Sequence, residues 1–487
     1  MAFYLTYDLG TTALKTALID TQGQVAAACT LEYPPQHPAP GQVEMEPEAY
    51  WRAAVETTHQ VLAQAPGEVL AVGFSSQAQT FVPLDAAGQP LYPAMVWLDN
   101  RSQEIAEAWQ AQWLSLERFQ QISGYGFIPP GMTVFKLAWL RQNAPGAHQA
   151  WKFLFLPDYI TYRLTGETVT DPVLARMGGM FNLERNDWDP DLLAAAGVSR
   201  EQLPTVLPPG GVAGRLHARA AAVLGLPPGI PVCTGSNDQL TGALGAGNVH
   251  PGMVSETTGT ALAVIGTTLA LLRDARLVAG EHPAPGLFYA MSYSNTSAVL
   301  LTWLREICGS EGEDFPTFLR GVERIPPGCD GLTLLPHFSG APYNPSARGM
   351  MLGLGLNHTR QHLVRAVMES CACLLREHLE PFAAQAPLRE VRSMGGAARS
   401  DVWLQMKADL LGLPVERPAC PLPANLGAAM LAAVGTGHFA RLAEAAEAWY
   451  RPAAAFEPDP LRWPAYQEVY VRYGYYSKLL YGWGEGA

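Results

Sequence analysis

The sequence lacks the features that mark membrane-spanning and nucleic-acid-binding proteins. No apolar run in its 487 residues reaches the roughly 18 residues that a transmembrane helix requires. The net charge is −12, from 32 basic and 44 acidic residues, and the basic residues form no cluster. Because binding to nucleic acid depends on a basic surface that neutralises phosphates, neither nucleic acid nor a membrane is expected as a partner.

Cysteine is scarce, and its spacing fits no disulfide framework. The seven cysteines include no CxxC pair; they are Cys29, Cys233, Cys308, Cys329, Cys371, Cys373 and Cys420. An odd and scattered set of this kind is typical of proteins from reducing compartments. A cytoplasmic location is therefore expected.

Two common phosphate-binding signatures are also absent. The chain contains no GxxxxGK[ST] motif, which excludes a P-loop. No complete GxGxxG follows a predicted strand, since "LGLGLNH" (352–358) lacks the last glycine. A dinucleotide-binding fold is therefore not expected, and any phosphate must be bound by other turns.

The composition and the order of patterns indicate an α/β protein of more than one domain. Apolar residues make up 48% of the chain and charged residues 16%, and the length suggests two or three domains. A strand–Gly/Thr turn–strand unit opens the chain, and "GMVSETTGTALAVIG" (252–266) repeats it in the second half. The glycine-rich stretch 242–252 predicts a hinge. We therefore divide the chain into domains 1–246 and 247–487.

The opening unit, "YDLGTTALKTALID" (7–20), predicts a hairpin with a phosphate-binding turn. Backbone N–H groups and the hydroxyls of Thr11 and Thr12 can converge on one anion, and Gly10 lets the backbone come close. Lys15 can reach back from the second strand. Asp8 ends the first strand, and a carboxylate beside phosphate points to Mg²⁺ bridged through water. The alternative is a tight turn that Asp8 merely caps.

Two further patterns fit the same chemistry. In "GSNDQLTGALG" (235–245), Asp238 follows a strand and begins a helix, where it can accept a proton from an alcohol attacking phosphorus or simply cap the helix. In "MGGAARS" (394–400), small residues between a strand and a helix leave room for a flat ring, although a tight turn has the same composition. Two Gly/Thr turns in separate halves suggest that both domains hold one polyphosphate.

Two long stretches carry a family resemblance. They are "GMTVFKLAWLRQN" (131–143) and "GMMLGLGLNHTRQHLVRAVME" (349–369), which are similar to the signatures of the FGGY carbohydrate kinases of the actin/hexokinase superfamily. The other motifs occur in that family's order. The resemblance implies an α/β fold of two actin-like (ribonuclease H-like) domains, each a mixed β-sheet flanked by helices, with the active site in the cleft between them.

The resemblance also implies ATP as phosphate donor, Mg²⁺ as its metal, and roles for individual residues. Asp238 would be the catalytic base, and Asp8 and Asp238 would hold Mg²⁺ through water. The residues expected at the nucleotide are Gly10, Thr11, Thr12, Lys15, Gly259, Thr260, Gly395, Gly396, Ala397 and Ser400. Those expected at the substrate are Gln79, Trp97, Asp99, Arg101, Asp238 and Gln239.

The substrate positions match no single relative. In "SSQAQT" (75–80), Ala78 and Gln79 stand where glycerol kinases carry Arg-Glu and xylulokinases carry Met-His, which argues against glycerol. Asp99 and Arg101 either touch the substrate or form a structural ion pair, and Trp97 is interpreted as a packed wall residue. The stretch 335–349, with its "APY" segment, looks more like the glycerol kinase version.

The sequence therefore predicts ATP-dependent phosphorylation of a small sugar or polyol, with a ketopentose such as xylulose as the leading substrate. The alternatives are glycerol, erythritol, ribitol or gluconate, or a non-catalytic actin-like protein that binds ATP. A homodimer is expected only by analogy with the family.

Overall fold

The computed structural model describes residues 1–341, 344 and 346–482. Part of the "APY" segment, namely Pro342 and Tyr343, lies outside the described residues. The first half contains strands β1 Ala2–Leu9, β2 Ala13–Asp20, β3 Val25–Glu32, β4 Glu44–Met45, β5 Glu68–Ser76, β6 Phe81–Leu84, β7 Ala94–Met95, β8 Lys152–Phe155, β9 Val169–Thr170, β10 Phe181–Asn182, β11 Asp187–Trp188, β12 Thr205–Val206, β13 Val212–Arg215, β14 Pro231–Cys233 and β15 Ser236–Asn237. Its helices are α1 Pro47–Gln64, α2 Gln103–Gln112, α3 Leu116–Ser123, α4 Thr133–Asn143, α5 Pro145–His148, α6 Leu156–Thr165, α7 Pro172–Met177, α8 Pro190–Ala196, α9 Ala218–Leu224 and α10 Asp238–Gly245.

The second half continues with strands β16 Met253–Thr258, β17 Leu262–Thr268, β18 Val278–Glu281, β19 Phe288–Ser294, β20 Thr333–Leu335, β21 Met350–Leu352, β22 Glu390–Met394, β23 Val415–Pro418 and β24 Pro452–Phe456. Its helices are α11 Val299–Ile307, α12 Phe315–Phe318, α13 Arg360–Ala383, α14 Asp401–Leu411, α15 Pro423–Gly435, α16 Leu442–Trp449 and α17 Trp463–Tyr481. Among the described residues, we find no helix with the length and apolar character that crossing a membrane would require.

The two halves build the same sheet topology. In the first sheet the order is β13-β14-β5-β1-β2-β3, and in the second it is β18-β19-β17-β16-β22-β23-β24. In each, the opening strand pairs antiparallel with the second strand of its hairpin and parallel with a later strand on its other side. The mixed sheets confirm the predicted fold class, and the repeated Gly/Thr unit corresponds to the same hairpin in both.

Burial on both faces explains the strand compositions. Nearly all of β1 and most of β5 are buried, and the run "VLAVGF" in β5 has the continuous apolar character of a central parallel strand covered on both sides. The strands end in polar residues, because Asp8, Ser75 and Ser76 lie at the same edge of the sheet. This edge carries the candidate site.

Helix α4 ends at Asn143, just before Ala144 and Pro145, and its first half is buried. Every residue from Thr133 to Ala138 is buried, so the first turns of the helix are enclosed on all sides. An apolar pattern broken by one lysine looks amphipathic in sequence, yet Lys136 is itself fully buried.

The helices α10 and α15 cross at glycines where the two halves of the chain meet. A Cβ atom on Gly245 would lie 1.8 Å from the carbonyl oxygen of Pro423, and one on Gly427 would lie 1.9 Å from that of Thr241. Glycine is therefore needed at both positions for the backbones to approach this closely. The predicted hinge stretch 242–252 is thus partly helical, since its first residues belong to α10.

Helix α15 belongs to the second half of the sequence but packs on the sheet of the first half. Its apolar residues share a cluster with Tyr4, Ala71 and Cys233 of the first sheet. The side-chain amide of Asn425 donates to the carbonyl oxygens of Thr6 (3.3 Å) and Lys15 (3.0 Å). A division at residue 246 stays a prediction. Because α15 packs on the first sheet, dividing the chain at one point does not give two self-contained cores.

Candidate active site

The hairpin of β1 and β2 places a lysine opposite the aspartate that precedes its turn. Asp8 pairs in register with Lys15 across the hairpin and with Ser75 on β5. The Lys15 Nζ lies 3.7 Å from Asp8 Oδ2, and Ser75 Oγ donates to Asp8 Oδ1 at 2.8 Å. Burial raises the pKa of Asp8, and Lys15 and Ser75 only partly oppose that rise.

The turn itself is held by its glycine. The Gly10 N–H donates to the carbonyl oxygens of Asp8 (3.1 Å) and Ala13 (3.0 Å), and a Cβ here would lie 2.9 Å from Ala13 O. The Gly10 carbonyl oxygen in turn accepts from the side-chain amide of Gln77 at 3.1 Å. Thr11 is half-buried and Thr12 is exposed, so their hydroxyls remain accessible to a phosphate.

Asp238 is the first residue of α10, and its carboxylate is hydrogen-bonded to the two residues next to it in the chain. Its Oδ1 accepts from the backbone N–H of Gln239 (2.8 Å) and from the side-chain amide of Asn237 (2.9 Å). Burial, and then the nearby negative charge of Asp8, raise the pKa of Asp238 to about 7. Asn237, rather than Asp238, occupies the cap position of the helix. The cap interpretation of Asp238 is therefore not supported.

Two hydroxyl residues connect helix α10 to the carboxylate of Asp8 and were not identified from the sequence. Thr241, one turn along α10 from Asp238, donates to Ser75 Oγ at 2.7 Å, and Ser75 donates to Asp8. Both hydroxyls are fully buried. Only the sheet register and the helix packing bring them together, so no local signal could have identified them.

The local charge balance suits a divalent cation. Asp8 and Asp238 are close enough for the charge of one to raise the pKa of the other, and Lys15 contributes a single positive charge. Two carboxylates with water and phosphate oxygens form the oxygen-rich environment that Mg²⁺ prefers. No cluster of three or more His, Cys, Asp or Glu ligands occurs within residues 1–341, 344 and 346–482, so the described protein groups alone would not enclose a metal.

A cavity of about 800 Å³ lies beside the turns that follow β16 and β22 of the second sheet. Five of the residues predicted for the nucleotide line it: Gly259, Thr260, Gly396, Ala397 and Ser400. Its apolar walls, which the sequence did not single out, include Val299, Leu301, Phe315, Leu319, Val322, Val402 and Trp403. Gly395 adopts a φ of +82° beside the carbonyl oxygen of Thr258, which links its turn to that of β16 and β17.

A buried ion pair lies beneath this second turn. Lys407 Nζ contacts Glu256 Oε1 at 2.5 Å and Thr258 Oγ1 at 2.9 Å, and Thr258 donates to Glu256 Oε2 at 2.5 Å. The side chains of Lys407 and Glu256 are inaccessible to solvent. Ser393 completes the network. The turn predicted to face phosphate is therefore supported from below by charged hydrogen bonds.

The predicted substrate loops carry Gln79 and Trp97. Gln79 is half-buried, has a φ of +63° and donates through its side-chain amide to the Tyr125 hydroxyl at 3.2 Å. The indole N–H of Trp97 donates to Thr11 Oγ1 at 2.8 Å. Trp97 is 41% exposed, so the interpretation of a packed wall residue is wrong: the ring is open to solvent and bonded to the phosphate turn. Gln239 is half-buried beside Asp238.

Asp99 and Arg101 form an ion pair that favours the structural alternative. Arg101 binds the Asp99 carboxylate with distances from 2.7 to 2.9 Å and also contacts Glu44 at 2.8 Å. The side chain of Asp99 is 0% exposed and that of Arg101 is 3% exposed. Side chains that are paired and enclosed in this way are not available to a substrate in this structure. The predicted substrate contacts of Asp99 and Arg101 are therefore corrected to a role in holding the loop.

Comparison with known proteins gives a consistent result along the chain. Residues 3–245 match the N-terminal domain, and residues 253–436 the C-terminal domain, of the FGGY family of carbohydrate kinases. A xylulose kinase from Staphylococcus xylosus is 29% identical, covering 97% of this chain and 99% of its own. A glycerol kinase from Paracidovorax citrulli is 32% identical, covering 94% and 95%. The crystal structure of xylulose kinase from Rhodospirillum rubrum superposes with a TM-score of 0.91 at 29% identity, covering 98% and 99%.

Proposed function

The chain belongs to the FGGY family of carbohydrate kinases, and on that premise we propose that this phosphotransferase transfers the γ-phosphate of ATP to a hydroxyl of an uncharged ketopentose, with D-xylulose as the leading candidate. Relatives of similar identity include both xylulose and glycerol kinases. The choice between these substrates therefore depends on the residues around the acceptor.

The available charges argue for a neutral acceptor. Of the predicted acceptor residues that remain accessible, Gln79, Trp97 and Gln239 are uncharged and Asp238 is a carboxylate, so none is a cation. Arg101 is occupied by two carboxylates, and Lys15 is paired with Asp8. A sugar acid such as gluconate needs a cation for its carboxylate, so this observation favours a neutral sugar or polyol.

The amide of Gln79 supports a polyhydroxy acceptor larger than glycerol. An amide can donate to one hydroxyl and accept from its neighbour, as a vicinal diol requires. Glycerol kinases carry Arg-Glu at the positions of Ala78 and Gln79, and the loss of both charged groups removes that mode of binding. Trp97, bonded to Thr11, lies between the acceptor side and the phosphate turn.

The proposed reaction depends mainly on position and charge. Asp238 would accept the proton of the attacking hydroxyl, and its pKa of about 7 suits a general base near neutral pH. Lys15 and the N–H groups of the Gly10 turn would face the transferred phosphoryl group. Asp8 and Asp238 would hold Mg²⁺ through water, and the metal would neutralise charge on the phosphates. The cavity walls would exclude water from the nucleotide.

The test is an acceptor panel with Mg-ATP, followed by ADP release. D-xylulose, D-ribulose, ribitol, erythritol, glycerol and gluconate would be compared at equal concentration. We expect the highest kcat/KM for a ketopentose and the lowest for gluconate. A clear preference for glycerol or gluconate would overturn the substrate proposal, and absence of acceptor-dependent ADP across the panel would favour the non-catalytic alternative.

A further inference from the structure

A lysine that the proposed reaction does not use lies at the centre of the acceptor side. Lys136 is on α4 and is 0% exposed. Its ammonium group donates to the carbonyl oxygen of Gln79 at 3.1 Å and to that of Val96 at 2.9 Å. The carboxylate of Asp99 acts on Lys136 through its charge, but it is already bound by Arg101. A buried ammonium group without a carboxylate partner is costly. The burial of Lys136 at this position therefore requires a structural reason.

The two carbonyl groups belong to different loops, and each loop carries a residue expected at the acceptor. One loop contains Gln79, and the other runs from Val96 into Trp97. The loops are joined a second time, since the backbone N–H of Trp97 donates to Thr80 Oγ1 at 3.1 Å. Lys136 therefore connects the backbones that present an amide and an indole.

The backbone of Gln79 needs this support. Its φ of +63° places a non-glycine residue in the left-handed region, which is unfavourable and persists only where surrounding contacts hold it. Its carbonyl oxygen accepts from both Lys136 Nζ and Thr133 Oγ1, the latter at 3.0 Å. Both donors come from the first turn of α4, which is enclosed on all sides and therefore rigid.

The same loop leads to the phosphate turn. Thr80 Oγ1 donates to Gln77 Oε1 at 3.1 Å, and Gln77 donates to the Gly10 carbonyl oxygen. A hydrogen-bonded path therefore runs from α4 through the acceptor loop to the turn expected at the transferred phosphate.

We propose that Lys136 is a positioning residue for the acceptor sugar: by holding the carbonyl oxygens of Gln79 and Val96 it fixes where Gln79 and Trp97 meet the substrate hydroxyls. Lys136 itself does not touch the sugar, and it lies apart from the cavity lined by Gly396, Ala397 and Ser400, where the second half is predicted to hold most of the nucleotide. The proposal rests on the proposed function for the identity of the acceptor.

The first test is the kinetics of Lys136→Met, Lys136→Arg and Thr133→Val with D-xylulose, or with the best acceptor of the panel. Lys136→Met removes two charge-assisted hydrogen bonds, so KM for the acceptor should rise about tenfold or more, with KM for ATP unchanged. Lys136→Arg retains donors and should recover part of the loss. Thr133→Val removes one neutral bond and should raise the same KM by about twofold to fivefold; because it is mild, it decides the question if Lys136→Met fails to fold.

The matched control is the second fully buried lysine, changed together with its partner. The double variant Lys407→Met/Glu256→Gln perturbs the nucleotide turn and should raise KM for ATP but not for the acceptor. Equal rises of both KM values in Lys136→Met and Thr133→Val, or an unchanged acceptor KM in both, would overturn the proposal.

A second readout separates this proposal from the proposed function. Hydrogen exchange of the amides in segments 77–81 and 96–99 should quicken in Lys136→Met and Thr133→Val but not in the control, whether or not any acceptor is phosphorylated. If the wild type phosphorylates no sugar while exchange behaves as expected, the proposed function fails, and what stands is that Lys136 holds the two loops together. Unchanged exchange in both loops contradicts the role.

Discussion

The carboxylate of Asp238 lies at the start of helix α10 and near the carboxylate of Asp8. These two neighbours shift its pKa in opposite directions. The donors from Gln239 and Asn237 favour the charged form, whereas burial and the charge of Asp8 favour the neutral form and together prevail. A base whose pKa lies near neutrality is typical of a catalytic position.

Asp238→Asn should abolish transfer and stabilise the protein. Loss of a general base lowers kcat by about 10²–10⁴-fold, while ATP binding is retained. The pKa of Asp238 is raised from 3.8 to about 7 on folding. Protonation of this carboxyl therefore stabilises the folded state fully below pH 3.8, and this stabilisation is lost as pH rises through 7. The Asp238→Asn variant does not lose stability in this pH range, so its melting temperature at pH 8 should exceed that of the wild type. Turnover near the wild-type rate would remove Asp238 as the base.

The pH dependence of the rate should report the same group. The base acts when it is deprotonated, so kcat/KM for the acceptor should fall below a pH of about 7, the pKa of Asp238. In Asp8→Asn the negative charge that raises this pKa is gone. The acid limb of the residual activity should therefore move to lower pH. A limb that does not move would show that Asp8 does not act on Asp238 through its charge.

Arg101→Met should affect stability rather than substrate binding. The change leaves the buried carboxylates of Asp99 and Glu44 without their partner, and breaking a buried ion pair costs about 3–5 kcal/mol. Chemical denaturation measures this. The control is Arg441→Met, whose arginine is 75% exposed and pairs with Glu444; it should change stability by no more than about 0.5 kcal/mol. A rise in acceptor KM without loss of stability in Arg101→Met would restore the substrate contact.

At the scale of secondary structure, the crossing of α10 and α15 depends on the absence of side chains. These helices contact through Gly245 and Gly427, and α15 is rich in small residues around this contact, as in "GAAMLAA". Glycine and alanine runs in a helix therefore mark a close helix–helix approach here. Helix α10 begins with Asp238, so its spacing from α15 affects the position of that residue.

Gly427→Ala should destabilise the protein, while an equivalent change elsewhere should not. The new Cβ would lie 1.9 Å from the Thr241 carbonyl oxygen, and overpacking of this kind costs typically about 1–3 kcal/mol. Gly474→Ala is the control, because Gly474 lies within α17 and a Cβ there meets nothing within 4 Å. That change should stabilise by about 0.5–1 kcal/mol, the helix preference for alanine. Equal urea midpoints for the two variants would contradict the proposed contact.

At the scale of the whole molecule, the two halves share a core as well as a topology. Each half builds one sheet, but α15 and α16, which come late in the sequence, cover the face of the first sheet that bears Tyr4, Ala71 and Cys233. The halves are thus joined by the α10–α15 crossing and by the packing of α15 and α16 on the first sheet. Movements of one half against the other would have to preserve this covered face.

A fragment of residues 1–246 should not fold on its own. Without α15 and α16 its sheet exposes a large apolar face, which favours aggregation. Fusing residues 420–450 to this fragment through a flexible linker should restore a compact form with cooperative unfolding, measured by circular dichroism and dye binding. A stable, monomeric 1–246 fragment would show that α15 is dispensable to the first sheet.

The sequence by itself determined the features that depend on neighbouring residues. The two Gly/Thr hairpins, the strand–helix order around Asp238 and around Gly395, and the two family stretches are all local, because turn geometry and alternation of burial are encoded within a few residues. For that reason the fold class and the family were correctly predicted, and the residues of both turns were named.

Only the tertiary structure decided which distant residues meet. The path from Thr241 through Ser75 to Asp8, the pairing of Asp99 with Arg101, and the position of α15 on the first sheet join segments far apart in the chain. Such contacts depend on strand register and helix packing, and a shift of one residue in a strand turns its side chains to the opposite face. The residues predicted singly from their types therefore acquire their roles only in the folded protein.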